Sequence, residues 1–228
     1  MGSHTKREGL SDRKEVMIDM KLVLIGAPGA GKGTQGSALV ERYNIVRIST
    51  GDILREAVAK ETELGKQVKD IIAVGGLVSD EIIIAIVKER IKQDDCANGF
   101  ILDGFPRTQV QAQKFEKMVE IDKAIYIEVP DELLLDRLTA RQTCLRCGST
   151  YNRIHKPSKK KGFCDVCHNK LVQRSDDTIE SGVKRIQTFH DQSETLVTFY
   201  QEKGLLVKVD GTESISEITN AIIKGLEQ

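Results

Sequence analysis

Two groups of residues carry chemistry by type and spacing alone. The first is Gly26-Ala27-Pro28-Gly29-Ala30-Gly31-Lys32-Gly33-Thr34, which follows an apolar run and precedes a helical pattern reaching about Tyr43. Strand, glycine loop and helix in that order let successive backbone N–H groups face a phosphate. The helix start adds its positive end, and Lys32 reaches the terminal phosphates. The general motif has Ser or Thr directly after the lysine to hold magnesium, whereas here Gly33 intervenes before Thr34. Magnesium is therefore expected to rest on phosphates and water, with Asp103 orienting that water. Asp103 ends the apolar run Phe100-Ile101-Leu102, which puts it at the carboxyl edge of a sheet, where α/β proteins bind ligands. A plain packing turn, or a capping aspartate, would explain either feature singly but not their order together.

The second group is Cys144, Cys147, Cys164 and Cys167, two close pairs with sixteen residues between them. This spacing suits a structural Zn2+ held by four thiolates, with no open position for water and hence no catalytic role for the metal. Iron could take the same ligands, and two disulfides are the metal-free alternative. Cys96 has no sequence partner and reads as a packing residue, which with the thiol pairs suits a reducing, cytoplasmic setting.

The elements that must position these groups follow from periodicity. Five β-rich runs, Leu22–Ile25, Val46–Ile48, Phe100–Leu102, Ala124–Val129 and Leu205–Val209, alternate with helical patterns. The fold class is α/β, with a five-stranded parallel sheet covered by helices. Thr178–Lys203 predicts a long helix whose buried face carries Ile179, Val183, Ile186, Phe189, Leu196 and Tyr200. Ile215, Ile218, Ile222 and Leu226 predict another, and Ser79 and Asp80 predict the cap of a helix running to Lys92. Val129-Pro130-Asp131 stops one element and starts the next. Two stretches interrupt the alternation: 49–78, closing with Gly75-Gly76, and 143–177, which holds the cysteines. These are the candidate moving parts, inserted in a core of 20–48, 79–142 and 178–228. Residues 1–19 are polar and charged, unlike a targeting peptide, with Met1–His4 resembling a cloning scar; the segment is expected to be weakly ordered.

Lys+Arg and Asp+Glu are both 34, so the formal net charge is zero and a broad nucleic-acid surface is not expected. The longest apolar stretch, Ile82–Val87, is far short of the ~20 residues of a membrane span. Cationic function must be local.

Three separated motifs, Gly26–Thr34, Ser49-Thr50-Gly51-Asp52-Ile53-Leu54-Arg55 and Asp103-Gly104-Phe105-Pro106-Arg107-Thr108, resemble the adenylate kinase family in order and spacing. Gly76-Leu77-Val78-Ser79-Asp80-Glu81 and Gln173-Arg174-Ser175-Asp176-Asp177 extend the resemblance from about Met20 to the C-terminus. It implies a P-loop kinase with an AMP-binding segment, 49–78, and a zinc-binding lid, 143–177, catalysing Mg·ATP + AMP ⇌ 2 ADP as a monomer. By the resemblance, Thr50, Arg55, Gly76, Leu77, Val78, Gly104, Phe105, Pro106, Arg107 and Gln111 surround AMP, with Arg174 and Arg185 around the transferred phosphate. Gly29, Ala30, Gly31, Lys32, Gly33, Thr34, Arg137, Arg141, Thr150, Tyr151 and Glu213 match donor positions.

In this family reading Arg55 and Arg107 clasp the acceptor phosphate through planar forks that keep their charge, and Gln111 reads adenine. Arg137 and Arg141, four apart, are expected to share one helix face. Lys32, Arg107, Arg141, Arg174 and Arg185 form the catalytic set, because phosphoryl transfer needs positioning and neutralised charge more than covalent help. Both inserted segments are expected to close over their nucleotides, 49–78 over AMP and 143–177 over ATP, so that water is kept from the group in flight. The nearest rival is a UMP/CMP-type kinase, which usually has Ala where this chain has Thr50. A zinc-ribbon nucleic-acid module would use Lys156, Lys159, Lys160 and Lys161 but leaves the P-loop and the arginines unexplained.

Overall fold

The computed structural model describes residues 19–74 and 76–228. The expectations for residues 1–18 and for Gly75 lie outside the described residues. The chain runs β1 (Met20–Ile25), α1 (Lys32–Tyr43), β2 (Val46–Ser49), α2 (Thr50–Ala59), α3 (Glu63–Ala73), α4 (Asp80–Arg90), β3 (Gly99–Asp103), α5 (Gln109–Glu116), β4 (Lys123–Glu128), α6 (Asp131–Thr139), β5 (Arg141–Cys144), β6 (Thr150–Asn152), β7 (Leu171–Val172), α7 (Ile179–Glu202), β8 (Leu206–Asp210) and α8 (Ile215–Leu226). Five strands form one sheet in the order β2-β3-β1-β4-β8, and every pairing in it is parallel. β5 pairs antiparallel with β6 and β7 in a separate small sheet.

The strands read as continuous apolar runs because both faces of the large sheet are buried. In β1, Val23 and Ile25 enter a core with Ile83, Val87, Phe115, Leu196 and Tyr200, while Leu22 and Leu24 enter another with Leu39, Leu134, Leu138, Ile218 and Ile222. This period-two alternation places α4, α5 and α7 on one side and α1, α6 and α8 on the other. β3 and β4 flank β1, and between them the chain crosses from one side of β1 to the other, so a crevice opens at the carboxyl ends of these strands.

Three sequence expectations need correction. Ile179 and Val183 are exposed, at 65% and 54%, because the start of α7 turns Ser181 and Gly182 inward. A Cβ on Gly182 would lie 2.8 Å from Leu135 Cδ1, so α6 comes too close for a large apolar face there. Arg137 and Arg141 do not share a helix: α6 stops at Thr139, and Arg141 opens β5, drawn away by its pairing with Asn152. Ser79 stands at the start of α4 without a side-chain cap, and the helix ends at Arg90 rather than Lys92. By contrast Thr178 caps α7 by accepting from Ser181 N, and Pro130 precedes α6 as expected.

Candidate active site and thiolate cluster

The phosphate loop leaves β1 and turns into α1 through Gly29 and Gly31, whose φ values of 92° and 98° favour residues without a Cβ. α1 has no side-chain cap, so its first N–H groups remain directed at the crevice. Lys32 Nζ donates to the carbonyls of Gly26 at 2.6 Å and Ala27 at 3.0 Å. Desolvation lowers its pKa to about 8, with Arg107, Arg185 and Arg141 acting in the same direction and Asp103 against it.

Around this loop stand arginines from distant parts of the chain, of which Arg55, Arg141, Arg174 and Arg185 are held by carboxylates. Arg55 Nη2 meets Asp52 Oδ1 at 2.6 Å, and Arg174 Nη2 meets the same oxygen at 3.1 Å. Arg141 makes a two-pronged pair with Asp177. Arg185 Nη1 contacts Asp176 Oδ2 at 3.1 Å and Asp177 Oδ1 at 3.3 Å. Burial lowers Arg107 and Arg174 to about 10, helped by neighbouring arginines, yet both remain charged at neutral pH. Burial pushes Asp52 and Asp176 upward, but the surrounding guanidinium groups outweigh it and leave both carboxyls below their ordinary values.

On the other side of the crevice, buried Thr50 donates through Oγ1 to the Gly104 carbonyl at 3.0 Å. Arg107 Nε donates to that carbonyl at 2.9 Å. Gln111 accepts from Arg107 N at 2.7 Å and donates to Asp80 Oδ1 at 2.7 Å, which leaves one amide N–H and one oxygen lone pair for a base.

These groups share one cavity of about 830 Å3, reaching from Gly76, Leu77 and Val78 past Asp103 to Arg137, Thr150 and Glu213. Every residue matched to a nucleotide position lines it except Phe105, whose ring is wholly buried against Phe115 at 5.2 Å. The Phe105 side chain thus supports the Gly104–Arg107 turn from the core and does not line the cavity. Tyr151 lines the cavity too, but its hydroxyl accepts from Asp165 N at 2.8 Å and lies 3.5 Å from Cys164 Sγ, so its ring belongs to the small sheet. Arg137 Nη1 donates to Gly211 O at 2.9 Å, which ties α6 to the β8–α8 turn containing Glu213.

Sequence reasoning gave no role to Arg47, Asp52, Asp176 or Asp177. Asp176 and Asp177 are almost fully buried, and adjacent acids at a helix entrance signal buried cationic partners. Arg47, a lone charge in an apolar strand, carried a comparable signal.

The Sγ atoms of Cys144, Cys147, Cys164 and Cys167 all lie within 4.8 Å of one another. Cys144–Cys167 and Cys147–Cys164 are 3.3 Å and 3.5 Å apart. A tetrahedron with Zn–S bonds of ~2.3 Å has edges of roughly 3.8 Å, so four converging thiols fit that ion. No disulfide joins them. No described helix is long and apolar enough to cross a membrane.

The adenylate kinase family profile matches residues 24–205. An adenylate kinase of Caldicellulosiruptor saccharolyticus is 50% identical over 212 residues, covering 91% of this chain and 99% of the relative. One from Thermodesulfovibrio yellowstonii is 49% identical over 214 residues, 92% of this chain and 100% of the relative. Another, from Oceanobacillus iheyensis, is 46% identical over the same length and with the same coverage. With the phosphate loop, the clustered arginines and the thiolate site already in place, this similarity along nearly the whole chain shows that it belongs to the adenylate kinase family.

Proposed function

We propose that the cavity carries reversible phosphoryl transfer from Mg·ATP to AMP. The observation that supports it best is the convergence of Lys32 and the arginines of four separate segments on one cavity between two inserted regions. The AMP phosphate is itself the nucleophile, so no general base is needed. Gly29–Thr34, Arg137, Arg141, Thr150 and the Gly211–Glu213 turn receive the donor. Thr50, Arg55, Gly76–Val78, Gly104, Pro106, Arg107 and Gln111 receive the acceptor. Lys32, Arg107, Arg141, Arg174 and Arg185 surround the group in flight, where fixed cations neutralise charge without reorganising. Asp103 orients water on the magnesium that arrives with ATP.

In this reading 49–78 is the acceptor segment, 143–177 the lid, and the remainder of the described chain the core. Zn2+ at the four cysteines supplies no reactive chemistry and fixes the lid's shape. The test is turnover with ATP against AMP, CMP, UMP and GMP. AMP as the best acceptor is the expected result; a preference for UMP or CMP would turn the assignment to the pyrimidine kinases.

A further inference from the structure

Arg47 occupies the middle of the crevice without belonging to any nucleotide-binding motif. Its side chain is only 17% exposed. From β2 it crosses the start of α1, where a Cβ on Gly36 would lie 2.9 Å from its Cδ and one on Gly33 would lie 2.8 Å from its Nη1. The guanidinium therefore stands beside the place where a Ser or Thr following the phosphate-loop lysine would begin. Nη1 is 3.3 Å from Asp103 Oδ2, and Nη2 is 3.1 Å from Asp52 Oδ2.

The two carboxylates are not equally dependent on it. Asp52 also holds Arg55 and Arg174, whereas among the described residues Asp103 has Arg47 alone as an ion-pair partner. We propose that Arg47 is an internal counter-ion that competes with the magnesium of Mg·ATP for Asp103, and so sets how tightly the nucleotide complex holds its metal. The inference rests on the phosphotransferase reading above. A guanidinium stays charged at every working pH, so it neutralises Asp103 while no metal is near. Its hold is weak by geometry, since it offers one nitrogen to each carboxylate rather than a fork to either. A divalent ion would displace that hold, but against a positive charge that the second pair, with Asp52 at 3.1 Å, keeps nearby. Arg47 acts through Asp103 and is a positioning residue.

The full chain and its Arg47→Gln, Arg47→Met and Arg47→Lys variants would each be held in excess over ATP, so that nearly all the nucleotide is protein-bound, without AMP. Mn2+ would then be titrated in, with free ion read by electron paramagnetic resonance and folding checked by thermal unfolding. The neutral variants are expected to hold Mn2+ about three- to tenfold more tightly than the parent, as one partly screened charge requires, and Arg47→Lys to stay near the parent. Arg47→Met keeps the aliphatic stem over Gly33 and Gly36 and serves if Arg47→Gln does not fold. Unchanged or weaker Mn2+ binding in the neutral variants would overturn the proposal, as would an equal shift in Arg47→Lys, since charge would then not be the cause. A parent that holds Mn2+ no differently from ATP free in solution, and binds no ATP by calorimetry, would instead fail the phosphotransferase reading itself.

Discussion

Between β2 and α4 the chain makes two helices whose buried residues, Leu54 and Val68, join the core beneath the large sheet. Between α6 and α7 it makes three short strands whose buried cluster is Cys144, Tyr151, Cys164 and Leu171, apart from that core. Leu145, Ile154 and Val166 in the same stretch remain exposed, at 75%, 67% and 70%. One insertion is ordered by apolar packing continuous with the main domain. The other is too small to bury a core and depends on its thiolates. Two regions that flank one cavity are thus stiffened by unrelated means, and they meet through ion pairs, Arg174 with Asp52 at 3.1 Å and Arg55 with Asp176 at 3.8 Å.

The largest difference is expected from Arg107→Ala. The arginine turns toward the acceptor side through Gly104, and its backbone is fixed by Gln111 and by Ser193 Oγ, which donates to its carbonyl at 3.0 Å. Removing one preorganised cation should lower kcat/KM for AMP by about 10²–10³-fold while ATP affinity changes little. Equal losses at both nucleotides, measured by initial rates and by calorimetry, would erase the distinction between the two sides.

Stability provides a matched pair. With Zn2+ on the four thiolates as proposed, chelation should lower the first thermal transition by roughly 10 °C and detach it from the unfolding of the large sheet, since only a small apolar cluster supports the pairing of β5 with β6 and β7. Gly65→Ala acts on the other insertion. A Cβ there falls on the Ala57 carbonyl, so α2 and α3 must separate, and overpacking of that kind costs about 1–3 kcal/mol. The expected outcome is a melting midpoint lowered by about 2–10 °C and a raised KM for AMP, with metal content intact. Calorimetry with metal analysis checks both, and a Gly65→Ala protein that loses metal would show the insertions to be coupled.

What the sequence disclosed was local in character. The phosphate loop, Asp103 at the end of its strand and the paired cysteines each place chemistry within a few residues of the element that orients it. Glu213 was legible only through resemblance, because nothing in its residue type or spacing marks a donor position. Arg141 was misplaced on α6, since spacing by four looks the same whether a helix continues or hands over to a strand. The carboxylates that hold the arginines were passed over for a different reason. Asp177 pairs with Arg141 across 36 positions, and Asp52 with Arg174 across 122, and no periodicity reports partners that far apart.

The smallest expected effect separates the two sides by proton chemistry. In the proposed reading the donor side relies on Lys32, whose pKa in the nucleotide-free protein is lowered to about 8, whereas the acceptor side relies on Arg107, which at about 10 remains charged well above that. Between pH 8 and the lysine's ordinary 10.5, the folded protein holds fewer protons at Lys32 than the unfolded chain does. The lysine's contribution to stability therefore rises with pH through that window and is lost as pH falls through 8. ATP reverses the preference, because its phosphates favour the charged amine. Binding above pH 8 must then take up a proton, and ATP affinity should fall roughly fivefold from pH 8 to pH 9 while AMP affinity stays level. Calorimetry in two buffers of different ionisation enthalpy reads the uptake directly, as a fraction of a proton per ATP rising toward one, and Lys32→Met should abolish it. If ATP and AMP weakened together over this range, Lys32 would not be the group responsible, and the contrast of lysine on one side with guanidinium on the other would lose its chemical basis.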